Sequence, residues 1–265
     1  MTTPTRSDTP CDPGIRLFVE APLAAGQAVV LAAEQSHYLK TVMRAPAGTA
    51  VRLFNGRDGE WLATIESLGK KDAALTVAGQ THRQRAEPDL WLCFAPIKKA
   101  RIDFVAQKAS EMGVSALQPV MTRHTQVTRV NTDRLRANAV EAAEQCARLS
   151  VPDVFPPRKL DDLIADWPAD RHILLLDETQ TGIPIVDTLR RRGDARGQPW
   201  AVFVGPEGGY APGELDLLRR LPNVTPVGLG GRLLRADTAA IAALACWQAV
   251  LGDWTAPADR RETNS

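Results

Sequence analysis

From Leu90 onward the chain sets apolar runs, "LWLCFA", "SALQPVM", "HILLLDE", "WAVFVG" and "TPVGLG", against helical segments that start near Lys99, Thr132, Ile183, Pro212 and Asp237. Strand and helix alternating in this way imply βαβ units and a mostly parallel sheet, because parallel neighbours need a crossover that a helix supplies. Such sheets place their ligands beyond the carboxyl ends of the strands. "VGPEGG" and "GLGGRLLRADT" both leave strands at that end, so two glycine loops are expected to face one pocket.

The first 90 residues have a different rhythm. "RLFVE", "AVVLA", "TAVRLFNG", "EWLATIESL" and "AALTVAG" are short runs rich in Val, Ile, Leu and aromatics with turn signals between them, which predicts a β-barrel. "FNGRDGEW" reads as a hairpin, with Asn55-Gly56 or Asp58-Gly59 supplying the left-handed positions. One helix, "QSHYLKTVMR", is predicted to be capped by Ser36, with Leu39, Val42 and Met43 turned inward and His37, Lys40 and Arg44 outward. "THRQRAEPD" is polar and proline-bearing and marks the boundary. The expected organisation is a disordered leader over 1–14, an RNA-binding barrel over 15–85, an α/β domain over 86–254 and a disordered tail over 255–265.

The N-terminus lacks the apolar core of a signal peptide, and "TAAIAALACWQAVLG" from Thr238 is too short and alanine-rich for a bilayer span. A cytoplasmic protein without membrane contact is expected. Cys11, Cys93, Cys146 and Cys246 are scattered with no C-x-x-C pair, and His37, His82, His124 and His172 are equally dispersed, so neither a metal site nor a disulfide is predicted. The formal charge is only +1, yet residues 90–158 carry ten basic against six acidic side chains. A polyanion is therefore expected to meet the middle of the chain.

Three stretches carry chemistry. In "FVGPEGGYAPGEL" the glycines leave a ligand mostly backbone groups to meet. It is not a P-loop, which needs Lys-Ser or Lys-Thr where this chain has Tyr210 and Ala211, and its spacing is not that of the dinucleotide fingerprint. A plain strand-to-helix turn fits equally well at this level. "PIKKARIDFVAQKASEMGV" puts Lys98, Lys99 and Arg101 at a helix start, where cations oppose the macrodipole; they are either solvated or meant for phosphate. Glu141, Glu144, Gln145 and Arg148 share one face of the next helix, an exposed ladder unless a ligand uses it. In "GLGGRLLRADT" Arg232 and Arg235 stand ready to hold an anionic oxygen, and Asp237 is a helix cap or a base.

"FVGPEGG", followed by "LGGRLLRADTAAIAALACWQAVLGDW" and preceded by "IKKARIDFVAQKASEMGV" and "EAAEQCARLSVPDV", closely resembles the RsmE family of 16S ribosomal RNA uridine-N3 methyltransferases. That family belongs to the SPOUT superfamily, whose α/β domain contains a trefoil knot. "HYLKTVMRAPAGTAVRLFNGRDGEW" looks like its PUA-like RNA-binding barrel. The likeness spans roughly residues 15–254, and four motifs in order make it specific. This chain departs from the family at Asp237, where members carry Glu, and at His124, where they carry Arg.

The resemblance implies S-adenosylmethionine (SAM) as cofactor. It would be held largely by main-chain groups of "LLLDE" at Leu176, of Gly205, Pro206, Glu207, Gly208 and Gly209, and of the loop and helix start with Leu229, Gly230, Leu234 and Thr238. Gly208 is expected at positive φ, with ligand in the space a side chain would fill. RNA contacts are assigned to Arg16, Arg44, Lys98, Lys99, Arg101 and Arg148. For methylation at uracil N3, a guanidinium beside O2 or O4 would stabilise the uridinate and a carboxylate would take the proton. Arg235 is expected in the first role, with Arg232 second, and Asp237 in the other. No metal is implied. The partners are 16S rRNA in the small ribosomal subunit and a second copy of the chain, since the helix near Asp237 is apolar around most of its circumference. A SPOUT ribose 2′-O-methyltransferase and a non-catalytic RNA-binding assembly protein are the alternatives.

Overall fold

The structure is a computed structural model that describes residues 14–69, 72–176 and 182–255. Cys11, nearly all of the expected leader, the tail beyond Thr255, and Asp177 and Glu178 of "LLLDE" lie outside the described residues. Contacts divide the chain into units at 1–85 and 86–265.

The N-terminal unit is a mixed sheet of β1 (Arg16–Phe18), β2 (Ala28–Leu31), β3 (Ala50–Phe54), β4 (Glu60–Leu68) and β5 (Ala73–His82), in the order β1-β3-β4-β5-β2. Only β1 and β3 run parallel. Alternate residues such as Val29 and Leu31 on β2 and Leu75 and Val77 on β5 point into one core with Leu17, Val51 and Ile65. The β3–β4 hairpin uses both predicted glycines, with φ of 79° at Gly56 and 82° at Gly59. Its tip is tied by Asn55, whose Oδ1 accepts the N–H groups of Arg57 and Asp58 at 3.0 and 2.8 Å.

The lone helix corrects the sequence reading. It runs as α1 (Ala33–His37) and then loosens into a π-helical stretch, Tyr38–Val42, where the Met43 N–H reaches the Tyr38 carbonyl five residues back. The wider turn rotates later side chains out of the α-helical phase. Leu39 is buried as expected, but Val42 is 62% exposed and Met43 37%. Ser36 is no cap; it is buried within the helix and donates to the Asp72 carbonyl at 2.8 Å.

The C-terminal unit contains β6 (Leu90–Phe94), α2 (Lys99–Glu111), β7 (Ala116–Met121), α3 (Thr132–Gln145), β8 (Asp153–Val154), β9 (Arg158–Lys159), α4 (Leu160–Ala165), β10 (His172–Leu176), β11 (Ile183–Pro184), α5 (Ile185–Arg191), β12 (Trp200–Val204), α6 (Pro212–Arg220), β13 (Val224–Gly228) and α7 (Ala236–Val250). The sheet order is β11-β13-β10-β12-β6-β7-β8, with β9 also on β7, and every pairing is parallel. Along β10, Leu174 faces a core with Trp200, Leu244 and Trp247, while Ile173 and Leu175 face a second core with Phe203, Leu215 and Leu218. Covering on both faces is why these strands read as unbroken apolar runs. The structure differs from the reading of the chain in that Ile183 and Pro184 pair as a strand before α5 begins, and in the short β8 and β9 and the helix α4, which that reading lacks. Among the described residues no helix is long and apolar enough to cross a membrane.

Candidate functional site

Register sets the site. Leu176, the last residue of β10, lies opposite Val204 of β12 and Val227 of β13, so the loops after three adjacent strands begin side by side. Glycine lets these segments approach. A Cβ on Gly182 would lie 2.6 Å from the Val227 carbonyl carbon, so the chain returning from the first loop runs against the end of β13. Gly209 at φ 72° and Gly230 at φ 93° hold left-handed turns in the second and third loops.

At these strand ends lies a cavity of about 680 Å³. It is lined by the apolar residues Leu176, Val204, Val227, Leu229 and Leu234 together with Gly205 to Gly209 and Gly228 to Gly230. Arg232 and Arg235 also line it, and both are exposed. The volume lies within the range for small-molecule sites, and the composition suits a flat, mostly apolar ligand held by backbone groups. Two guanidiniums beside it supply positive charge where anionic oxygens would sit.

The second loop is braced from behind. The Glu214 carboxylate accepts the Ala211 N–H at 2.8 Å, closing the first turn of α6, and the Arg123 N–H at 2.7 Å. His124 Nδ1 lies 2.9 Å from the Gly209 carbonyl. Thr122 and Thr125 stiffen that neighbouring turn, since Thr125 Oγ1 accepts the Thr122 N–H at 3.0 Å. In front, Arg101 donates to the Glu207 carboxylate and its Nε lies 3.9 Å from Asp237 Oδ2. The first turn of α2, the glycine loop and the first turn of α7 thus meet at one guanidinium.

The described residues therefore gather every proposed cofactor residue except Thr238 around one cavity. Thr238 is exposed and outside the lining, as is Asp237, which is half-buried beside Arg101. Arg235 occupies the position before α7, so Asp237 sits inside the first turn and does not cap it; its Oδ1 accepts the Thr238 N–H at 2.8 Å. Gly208 is not at positive φ, and a Cβ there would meet the His124 Cβ at 3.4 Å, an ordinary contact away from the cavity. Val204, Val227, Gly228, Leu233, Ala236 and Ala239 also line the cavity and were missed. Val204 ends β12 and Val227 is the last apolar residue of β13, each just ahead of a glycine loop, a signal the sequence did carry.

A family model described as an RNA methyltransferase domain matches residues 85–248, and one described as an RNA methyltransferase PUA domain matches residues 31–78. The chain is 32% identical over 231 residues to ribosomal RNA small subunit methyltransferase E of Rickettsia conorii, covering 87% of this chain and 93% of that one. It belongs to the ribosomal RNA small subunit methyltransferase E family. The family's structures agree: the Neisseria gonorrhoeae member, solved with S-adenosyl methionine, superposes with a TM-score of 0.80 at 27% identity over 91% of this chain and 99% of that one. A Legionella pneumophila protein solved in complex with the cofactor SAM gives 0.79 at 29% identity over 90% and 98%.

Three of the cationic residues read as RNA contacts are engaged by groups of this chain. Arg148 is buried: α3 ends at Gln145, and Ala147 at φ 60° turns the chain so that the guanidinium enters the interior, bonding Glu87 and the carbonyls of Ser110 and Val114. The Arg16 side chain, 7% exposed, lies on Glu60 at 2.5 Å and over the Phe54 ring at 3.9 Å. Arg101 is occupied by carboxylates of its own chain. Lys98 is exposed ahead of α2, Lys99 begins that helix, and Arg44 is exposed at φ 50°.

Proposed function

We propose that this chain methylates N3 of a uridine in 16S rRNA of the small ribosomal subunit, using SAM. The observation that carries the reading is the cavity at the ends of β10, β12 and β13, walled by glycine backbone and flanked by Arg232 and Arg235. It fits SAM: apolar side chains and main-chain groups suit an adenine and ribose, and the mouth is open to a base. When bound, SAM supplies an electrophilic methyl group on sulfur.

The chain's own residues then do two things. Arg235, with Arg232 as the second candidate, places positive charge beside the uracil O2 or O4, which favours loss of the N3 proton. Asp237 accepts that proton, and the N3 electron pair forms the new N–C bond as the methyl–sulfur bond breaks. Holding N3 and the methyl in line supplies much of the acceleration. Residues 15–85 and the exposed cations Arg44 and Lys98 with Lys99 present the RNA. Ile241, Ala245 and Cys246 of α7 are half-buried within the chain, which supports a second copy packing there across a two-fold axis.

The test supplies labelled SAM with naked 16S rRNA or with small subunits from a strain lacking the enzyme, followed by digestion to nucleosides. N3-methyluridine is expected. A 2′-O-methylated nucleoside, or SAM binding in calorimetry without transfer to either substrate, would overturn the reading.

A further inference from the structure

At Arg101 three separate parts of the site meet. It stands in the first turn of α2, where a cation opposes the helix macrodipole. Nothing in that turn answers it, as α2 has no acidic residue there and no side-chain cap. The answer comes from far along the chain. Glu207, on the cavity wall, accepts from Nη1, and Asp237, in the first turn of α7, lies 3.9 Å from Nε. A guanidinium can serve two carboxylates in this way because its donors point in fixed, divergent directions in one plane; an ammonium cannot hold both with the same definition.

The two carboxylates differ in what they need. Glu207 is 49% exposed and could turn freely to solvent; Asp237 is only 16% exposed, and its other oxygen already accepts the Thr238 N–H at 2.8 Å. That N–H and Arg101 together orient the Asp237 carboxylate. Ala236, next to it, lines the cavity, so a small rotation of Asp237 changes its reach toward the mouth.

We infer that Arg101 is a positioning residue for methyl transfer: it aims the Asp237 carboxylate at the substrate proton and ties that aim to the Gly205–Gly209 loop through Glu207. It lies outside the cavity lining, and its partners are carboxylates of its own chain. The inference rests on the reading of Asp237 as the proton acceptor.

A double-mutant cycle on single-turnover methyl transfer tests it, using the full chain with small subunits and saturating SAM. Arg101→Gln is used beside Arg101→Ala to preserve packing, and thermal melting checks the fold of every variant. Arg101→Gln should lower the rate by on the order of ten- to a hundredfold, with the SAM Kd within about threefold, and Arg101→Lys should recover only part of the loss. In an Asp237→Asn background the Arg101 change should add almost nothing, since both act through one group. If Asp237→Asn is slow and Arg101→Gln costs the same factor in both backgrounds, Arg101 does not work through Asp237 and the inference falls while the acceptor stands. If Asp237→Asn is as fast as the parent, the acceptor reading itself fails and takes the inference with it. A loss confined to RNA affinity and its salt dependence would return Arg101 to the phosphate backbone.

Discussion

In the N-terminal unit Arg16 and Arg52 flank Glu60, a carboxylate with 2% exposure, whereas in the C-terminal unit Arg232 and Arg235 lie exposed on a glycine loop with no ion pair among the described residues. Glu60 is satisfied from several sides: Arg16 at 2.5 Å, the Thr81 hydroxyl at 2.9 Å and His82 Nδ1 at 3.0 Å. Burial alone would push its carboxyl up; the hydrogen bond and charge of Arg16, with Thr81 and His82, outweigh that and hold it below the usual carboxylate range. Charge placed in this way holds a fold together. Charge left open beside a cavity contributes nothing until a ligand arrives, and the same side chain type therefore has opposite consequences when removed.

The largest effect should come from the closed network. Glu60→Ala removes a carboxylate that is 2% exposed from the Arg16 guanidinium and should cost about 3–5 kcal/mol in denaturant unfolding, with SAM affinity of the surviving folded protein unchanged. A loss under about 1 kcal/mol, typical of an exposed pair, would break the contrast. The network also has a pH sign. Because the folded-state value of Glu60 is lowered, its contribution is complete above the unfolded carboxylate value, about 4.3, and is lost as pH falls through the lower folded value. Glu60→Gln should remove that acid-side dependence, which melting curves across the acid range would reveal.

Next comes the open charge. Arg235→Ala should lower kcat by about 10²–10³-fold, equivalent to about 2.7–4 kcal/mol, while stability changes by no more than about 0.5 kcal/mol. A variant that unfolds, or one that methylates normally, would place Arg235 with the structural arginines. Smaller again is the backbone contribution. Gly230→Ala forces φ 93° on an alanine, which should cost about 1–3 kcal/mol and weaken SAM binding, while Gly208→Ala, whose Cβ would meet only His124, should bind SAM nearly as the parent does. Equal effects at the two positions in calorimetry would mean that the loops do not shape the cavity through their turns. The least effect belongs to Lys98→Ala, which should leave SAM binding alone and reduce the salt slope of RNA affinity by about one; an unchanged slope would assign Lys98 to solvent.

Much of this was legible in the chain because it depends on local pattern. "EWLATIESL" is β4 residue for residue, the helices begin at or within two residues of Lys99, Thr132, Ile183, Pro212 and Asp237, and both hairpin glycines take the left-handed conformation. The cavity's glycines and its two arginines were visible for the same reason: glycine-rich segments behind apolar runs must be strand-end loops. Val42 and Met43 were misplaced because a π-helical turn leaves no mark in apolar spacing. Arg148 was misplaced because a left-handed alanine, which sequence does not advertise, turned it inward.

Order along the chain thus suffices for the classes of element, the sheet type, the family likeness and the residue types gathered at the strand ends, since each follows from spacing and composition over a few residues. Which charges face each other does not follow, because pairing depends on side chains far apart in sequence arriving at one point. Glu60 reaches Arg16 across 44 positions and Glu207 reaches Arg101 across 106. Nothing in either neighbourhood distinguishes a buried arginine from one kept open for a ligand. That distinction arises when packed strands fix the register of Leu176, Val204 and Val227, bringing three loops to one edge and leaving Arg232 and Arg235 on the cavity's rim.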